Sequence, residues 1–187
     1  NTSIRILDRL LKELESSKPE MGSISTEVIL KVFDKQIINE TLYAWRLGCA
    51  TGQMEMSPEE LVVLLDHYRL LVPDLGLDAT TYEIIMEGSA IVAHENEPPI
   101  FAQSLLDRMI KESDEEPNVR PSLSTFHLVM DLWARDSSYR ASEIVEDLFQ
   151  RMCTLDEANW HHMAPVTHTY LLLMKSLSGS PKRAEEI

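Results

Sequence analysis

The residues whose types and clustering come closest to a metal site are Cys153, His161, His162 and His168. A structural zinc site needs four such groups that converge in space. The adjacent His161 and His162 point in different directions on any regular element, so they cannot both face one ion. We therefore expect no metal site, and we interpret these histidines as loop residues beside Trp160.

Other chemistry-bearing patterns are equally weak. Asp66 and His67 are expected to be a surface pair on a helix, and Asp114-Glu115-Glu116 lacks the alternating oxygen ligands of a calcium loop. The sequence contains neither a phosphate-binding glycine loop nor His-Glu-x-x-His. We predict no catalytic residues, no metal and no cofactor, and hence not an enzyme. The alternative is a catalytic protein whose active domain lies outside the sequence given.

Charge is abundant and unevenly distributed along the 187 residues. The chain carries 17 basic and 31 acidic residues, a net charge of −14. Residues 57–120 hold four basic and fourteen acidic residues, and their average field would repel a polyanion such as RNA. The simpler interpretation is that these acidic side chains lie on the solvent-exposed outer faces of helices.

Membrane insertion is not expected, because no apolar run approaches the ~18–20 residues of a span. The longest candidate, Leu61 to Val72, is interrupted by charged residues. The chain opens on Asn1, so a targeting peptide is not visible, and residues 182–187 resemble the start of a helix. We interpret residues 1–187 as a single helical-repeat segment of a longer protein.

A repeat recurs at intervals of 44 residues. Hexads that begin at Thr81, Thr125 and Thr169 each consist of Thr, an aromatic residue, a variable residue, two aliphatic residues and Met. The apolar positions i, i+3 and i+4 predict one face of a helix. A weaker copy begins at Thr41, 40 residues before Thr81. Small residues late in each copy are expected to let neighbouring helices approach closely: Ala50, Ala90, Ala134 and Ser178.

A second helix is predicted after each of these first helices. Ser57-Pro58-Glu59-Glu60, for example, has a capping serine and a proline at the first helical position. Strand signals are nearly absent. The sequence predicts an all-α fold, an α-solenoid of stacked antiparallel helical hairpins in which neighbours complete each core. The predicted units are residues 1–36 (irregular, with helices over Ile4–Leu14 and Ser25–Gln36), 37–77, 78–121, 122–165 and the truncated 166–187.

Residues Arg120 to Arg135, followed by Ala141 and Leu148-Phe149-Gln150-Arg151-Met152, resemble the pentatricopeptide repeat family. The shared features are a Pro shortly before Thr-aromatic, a small residue late in the first helix, and a second helix that ends on Leu-Phe-x-x-Met. The tetratricopeptide repeat pattern requires Gly and Tyr at positions where this sequence has other residues. Residues 73–112 and 163–187 carry the pattern less fully, and 39–72 only loosely. The units are longer than the mid-thirties usual for such repeats, which implies degenerate repeats with long loops.

The resemblance implies an organellar protein (mitochondrion or plastid) that binds single-stranded RNA on a concave face lined by the first helices, about one base per repeat. The implied base-sandwiching positions are Glu40, Thr80, Ser124 and His168. The implied base-reading pairs are Tyr43 with Asp78, Glu83 with Ser122, and His127 with Val166, with Leu171 as the first reading position of the last unit. Arg135 is the implied phosphate contact.

These residues depart from the family's preferences. The family favours an aliphatic wedge at the sandwiching position and Asn, Ser or Thr at the first reading position. Glu40 and Glu83 would lose Coulomb energy beside RNA. We therefore expect a non-catalytic scaffold with protein partners, which serves assembly of a protein or ribonucleoprotein complex in organelle gene expression. Sequence-specific binding of single-stranded RNA is the alternative, and no DNA binding is expected.

Overall fold

The computed structural model describes residues 35–53, 56–71, 77–92, 99–136, 139–158, 160 and 162–178. Every regular element in these ranges is helical, so the predicted all-α class is confirmed for them. The helix predicted over Ile4–Leu14 and nearly all of that over Ser25–Gln36 lie outside the described residues.

The chain divides into two compact units, residues 1–92 and 93–187. The boundary falls between the two helices predicted for the unit 78–121. The first compact unit contains α1 (Lys35–Ala50), α2 (Pro58–Leu71) and α3 (Ala79–Val92). The second contains α4 (Ile100–Glu112), a 3-10 turn (Pro117–Val119), α5 (Leu123–Trp133), α6 (Tyr139–Glu157) and α7 (Thr167–Ser178).

In the first unit, α3 packs extensively against α1 and more locally against α2. Each helix contributes an apolar stripe with the spacing of a helix face. The buried residues include Ile38, Leu42 and Trp45 of α1, Leu61, Leu65 and Tyr68 of α2, and Tyr82, Ile85 and Met86 of α3. Burying side chains of this size stabilises the fold by roughly 1.5–3 kcal/mol each.

The close approach of α1 and α3 depends on a glycine. A Cβ at Gly88 would lie 2.1 Å from Cζ3 of Trp45, so only a residue without a side chain fits beneath the indole ring. The small residues predicted to fill this role are Ala50 and Ala90. Ala50 is exposed, so the prediction is wrong for it, whereas Ala90 is partly buried.

In the second unit, α5 is central and packs against α4, α6 and α7, while α6 also packs against α7. Its core contains the apolar stripe of α5, Phe126, Val129, Met130 and Trp133, together with Leu148 of α6. Met86 and Met130 are fully buried as the hexad pattern predicts. The third methionine, Met174, is 57% exposed, so the predicted core role is wrong there.

Candidate binding faces of the first helices

The three threonines that open the hexads share one structural role. Each lies in the first turn of its helix, is buried, and accepts a hydrogen bond from the backbone N–H three residues earlier. The donors are the backbone nitrogens of Asp78 (3.4 Å), Ser122 (2.9 Å) and Val166 (3.0 Å).

Two of these caps are reciprocal. The side chains of Asp78 and Ser122 accept from the backbone N–H of Thr81 and Thr125, at 3.1 and 3.2 Å. Capping boxes of this kind satisfy helix N–H groups that have no partner within the helix. The hexad is therefore a helix-start signal as well as a core stripe.

Two of the threonines also bridge to the preceding first helix. Thr81 Oγ1 donates to Asn39 Oδ1 (2.8 Å), and Asn39 Nδ2 donates to Asp78 Oδ1 (3.3 Å). In the second unit, Thr169 Oγ1 lies 2.8 Å from His127 Nε2, in a hydrogen bond whose donor depends on the histidine tautomer. Both bridges join residues 42 apart, so Asn39 and His127 occupy equivalent positions.

This equivalence corrects the register assigned to the first copy. The copy begins at Ile37 and not at Thr41, so the interval is 44 residues throughout. The burial pattern agrees, because Ile38, Leu42 and Trp45 are buried as their counterparts 88 residues later are. The sequence pattern was misleading because residues 37–38 are Ile-Ile, whereas Thr41 is followed two residues later by an aromatic side chain.

Ion pairs connect the same helices one or two turns further along. Arg46 of α1 pairs with Glu87 of α3. Asp131 of α5 accepts from Arg135, in the turn that follows α5, and from Lys175 of α7, the latter at 2.8 Å. Burial alone would raise the pKa of Asp131. The two cations outweigh burial and hold this pKa below its usual range. Partly exposed pairs such as these stabilise by about 0–1 kcal/mol each.

In the first unit, five of the predicted ligand positions lie at or beside the surface formed by α1 and α3. Glu40 and Tyr43 are exposed on α1, and Thr80 and Glu83 are partly exposed on α3. Asp78 is the N-terminal cap of α3 and is held by Asn39. Because the register begins at Ile37, Asn39 replaces Tyr43 as the residue that pairs with Asp78. We call the surface of these two helices the α1–α3 face.

In the second unit, the remaining predicted positions lie on or beside α5 and α7, the α5–α7 face. The rings of His127 and His168 meet edge to face with centroids 4.9 Å apart. Ser122 caps α5 and its hydroxyl contacts that of Ser124 at 2.6 Å. Arg135, Val166, His168 and Leu171 are exposed. The structure thus brings His127 and His168 into contact, while Arg135 is paired with Asp131 near the end of α5.

Burial shifts the pKa of His127. Partial burial, reinforced by repulsion from His168, lowers the pKa of His127 below its usual value of 6.5. The neutral ring can accept a hydrogen bond from the Thr169 hydroxyl, while the Thr169 oxygen accepts from the Val166 N–H. Of the sites implied by the resemblance, Asp78, Ser122 and His127 are therefore engaged in hydrogen bonds that hold the helices.

Sequence reasoning missed Asn39, Arg46, Glu87, Asp131 and Lys175. Asp131 and Lys175 are opposite charges 44 residues apart, at the same position of successive copies. That complementarity is a usable sequence signal once the repeat is known. The pairs of α1 were hidden by its misassigned register.

The described residues contain no group of three or more His, Cys, Asp or Glu side chains placed to hold a metal ion. Cys153 lies on α6 and His168 on α7, whereas His161 falls outside the described residues. Burial raises the pKa of the Cys49 thiol and, together with Glu157 and Asp156, that of Cys153. Both cysteines are thus kept as thiols, the less reactive form.

Within the described ranges, every helix is too short or too polar to cross a bilayer. Comparison with known proteins identifies no relative: no family model, no curated protein and no solved structure matches the chain.

Proposed function

We propose that this chain is a non-catalytic helical-repeat scaffold, an α-solenoid of hairpins similar to pentatricopeptide repeats, which holds protein partners in a larger complex. The observation that carries the proposal is the bridge between a hexad threonine and the preceding first helix, which recurs at the same position in both units. A bond that joins one repeat to the next serves a structure in which each copy needs its neighbour. From the resemblance alone, we further propose that the complex serves organelle gene expression.

The polar positions that would read RNA bases support a protein-binding role. Asp78 and His127 are committed to bonds between neighbouring helices, and Ser122 is committed to a helix cap. A base would have to displace bonds that the fold already makes, and displacing one without replacement costs about 1–3 kcal/mol. Glu40 and Glu83 add negative charge on the α1–α3 face, which disfavours phosphates.

Two parallel selections test the proposal. The purified chain is panned against a displayed library of random peptides and, separately, against a random pool of single-stranded RNA at about 0.15 M salt. We expect enriched peptides and no enriched RNA motif. An RNA motif enriched without any peptide would overturn the scaffold proposal.

RNA reading is retained as the second candidate because of one specific observation. The corrected register places Asn39 in contact with Asp78, and Asn is among the residue types that the resemblance favours at the first reading position. If this pair reads a base, replacing Asn39 by Ser should change the selected RNA motif without abolishing binding. A loss of fold stability with no change of motif would assign Asn39 to structure alone.

A further inference from the structure

An apolar patch lies on the α1–α3 face among the positions just described. Leu47 is 66% exposed, Tyr43 is 45% exposed one turn earlier on the same helix, and Ile91 of α3 is 44% exposed. Leu47 and Ile91 are 44 residues apart, so they occupy the same position on two helices that pack side by side. We call these three residues the Leu47 patch. Single exposed apolar residues are ordinary, whereas three that share one two-helix surface form a candidate interaction site.

Three carboxylates lie on the same two helices, N-terminal to Leu47 and Ile91. Glu40 lies one turn before Tyr43 on α1, while Glu83 and Glu87 lie on α3. Arg46 of α1 is paired with Glu87 and lies near the Tyr43 ring, with Cζ 5.5 Å from its centroid. The two helices carry Glu40, Glu83 and Glu87 against Lys35 and Arg46, so the Leu47 patch is apolar at its centre and has a net negative edge.

We propose that the Leu47 patch docks a basic amphipathic helix of a partner protein, whose apolar side chains cover Leu47 and Ile91 and whose Lys or Arg side chains meet the carboxylates. This inference rests on the proposed protein-binding function and names its partner class. Two parallel ridges of packed helices offer a groove for a third helix. The negative edge selects a basic partner over an acidic one and disfavours nucleic acid.

Other exposed apolar residues fit this occupant less well. Tyr170 and Met174 lie on α7, where Lys175 and Arg135 outnumber the single carboxylate, Asp131, that pairs with both, so that surface has a net positive charge. Val63 and Leu70 are exposed on α2 but lie two turns apart on a single helix. A single convex helix buries less of a partner than a two-helix surface does.

A direct binding assay tests the proposal with defined probes. Fluorescein-labelled helices of about 14 residues are compared by anisotropy: one composed of Leu and Lys, and its counterpart with Glu in place of every Lys. We expect saturable one-to-one binding of the Leu/Lys helix and at least about tenfold weaker binding of the Leu/Glu helix.

Two double variants locate the site. Leu47→Ser with Ile91→Ser should weaken the Leu/Lys helix by about tenfold or more. Val63→Ser with Leu70→Ser removes comparable exposed surface from α2 and should leave affinity unchanged. Because all four side chains are exposed, both variants should fold, which circular dichroism checks.

Each other outcome overturns the docking inference. If the α2 variant loses binding and the α1–α3 variant does not, the site lies on α2, while the scaffold proposal stands. If both variants bind the Leu/Lys helix as the parent does, the helix is attracted by the overall negative charge of the chain and not by the Leu47 patch. If neither probe binds although the peptide selection succeeds, the partner is of another class. Failure of that selection, with an RNA motif enriched, would overturn the proposed function itself.

Discussion

The indole ring of Trp45 on α1 lies directly over Gly88 on α3, so closely that a Cβ at Gly88 would come within 2.1 Å of the ring. The same indole donates from Nε1 to the backbone carbonyl of Met56 at 2.9 Å. The ring is therefore fixed from two directions and cannot move aside without breaking a hydrogen bond. This contact sets how closely α1 and α3 approach each other.

Replacing Gly88 by Ala should destabilise the fold although alanine is the better helix former. An exposed Gly-to-Ala change within a helix normally stabilises by about 0.5–1 kcal/mol. Here overpacking against Trp45 should cost roughly 1–3 kcal/mol instead. Urea denaturation measures whether Gly88→Ala lowers or raises the free energy of unfolding. In a Trp45→Leu background the clash is removed, and Gly88→Ala should then be neutral or stabilising; a loss in both backgrounds would contradict the account.

Trp45 and Trp133 occupy equivalent positions 88 residues apart but differ in hydrogen bonding. Both are buried, yet among the described residues nothing accepts a bond from Trp133 Nε1. Trp45→Phe should therefore destabilise more than Trp133→Phe, by about 0.5–1.5 kcal/mol for the lost hydrogen bond.

Trp133→Ala should lower the free energy of unfolding by roughly 3–5 kcal/mol, because it removes a large buried side chain. Thermal or denaturant melts decide; a change below about 1 kcal/mol for Trp133→Ala would show that the side chain is not in the core.

Thr81→Val tests the bridge between first helices. Valine keeps the shape but leaves the Asp78 N–H and the Asn39 amide oxygen without the hydroxyl, so a loss of about 1–3 kcal/mol is expected. Thr41→Val is the matched control, because the Thr41 hydroxyl only donates back to the Ile37 carbonyl at 2.8 Å. Equal losses in the two variants would restore the register that begins at Thr41.

His127 should make stability fall on acidification. Its pKa is below 6.5 in the folded protein, so the unfolded chain binds the proton first as the pH drops. Its contribution is complete above about pH 6.5 and is lost as the pH falls towards the folded pKa. Denaturant melts between pH 7.5 and 5 should show a shallower slope for His127→Gln. His168→Gln should also reduce the slope, because it removes the repulsive neighbour.

Asp131, on the same face, should not contribute to the pH dependence of stability between pH 7.5 and 5. The pKa of Asp131 is lowered below 3.8, so its contribution is lost only at more acidic pH. A slope unchanged by His127→Gln between pH 7.5 and 5 would contradict the assignment of this pH dependence to His127.

The sequence predicts the helices where local patterns are strong, and it fails where distant residues decide. The Ser57-Pro58 start of α2 and the hexads of α3 and α5 are encoded in a few adjacent residues. The Ser57 cap, for instance, exchanges bonds with Glu60 at 2.8 and 3.2 Å as its spacing predicts. These local signals suffice for the all-α class.

The failures concern partners about 40 residues apart. The register of α1 depends on the Asn39–Thr81 bond, and the glycine contact depends on Trp45 approaching from another helix. The exposure of Met174 likewise reflects what packs on α7, which the hexad cannot encode. A repeat pattern identifies residues that can be buried, whereas neighbouring helices determine which of them are.

The most direct test of the scaffold account is the affinity of the chain for RNA. Fluorescence anisotropy is measured with a random pool of single-stranded oligonucleotides, and with any motif enriched from it, at about 0.15 M salt. A chain of net charge −14 whose reading positions Asp78 and His127 already bond neighbouring helices should bind only weakly and without sequence preference. Sub-micromolar affinity for one enriched motif would contradict the account and establish base-specific RNA recognition instead.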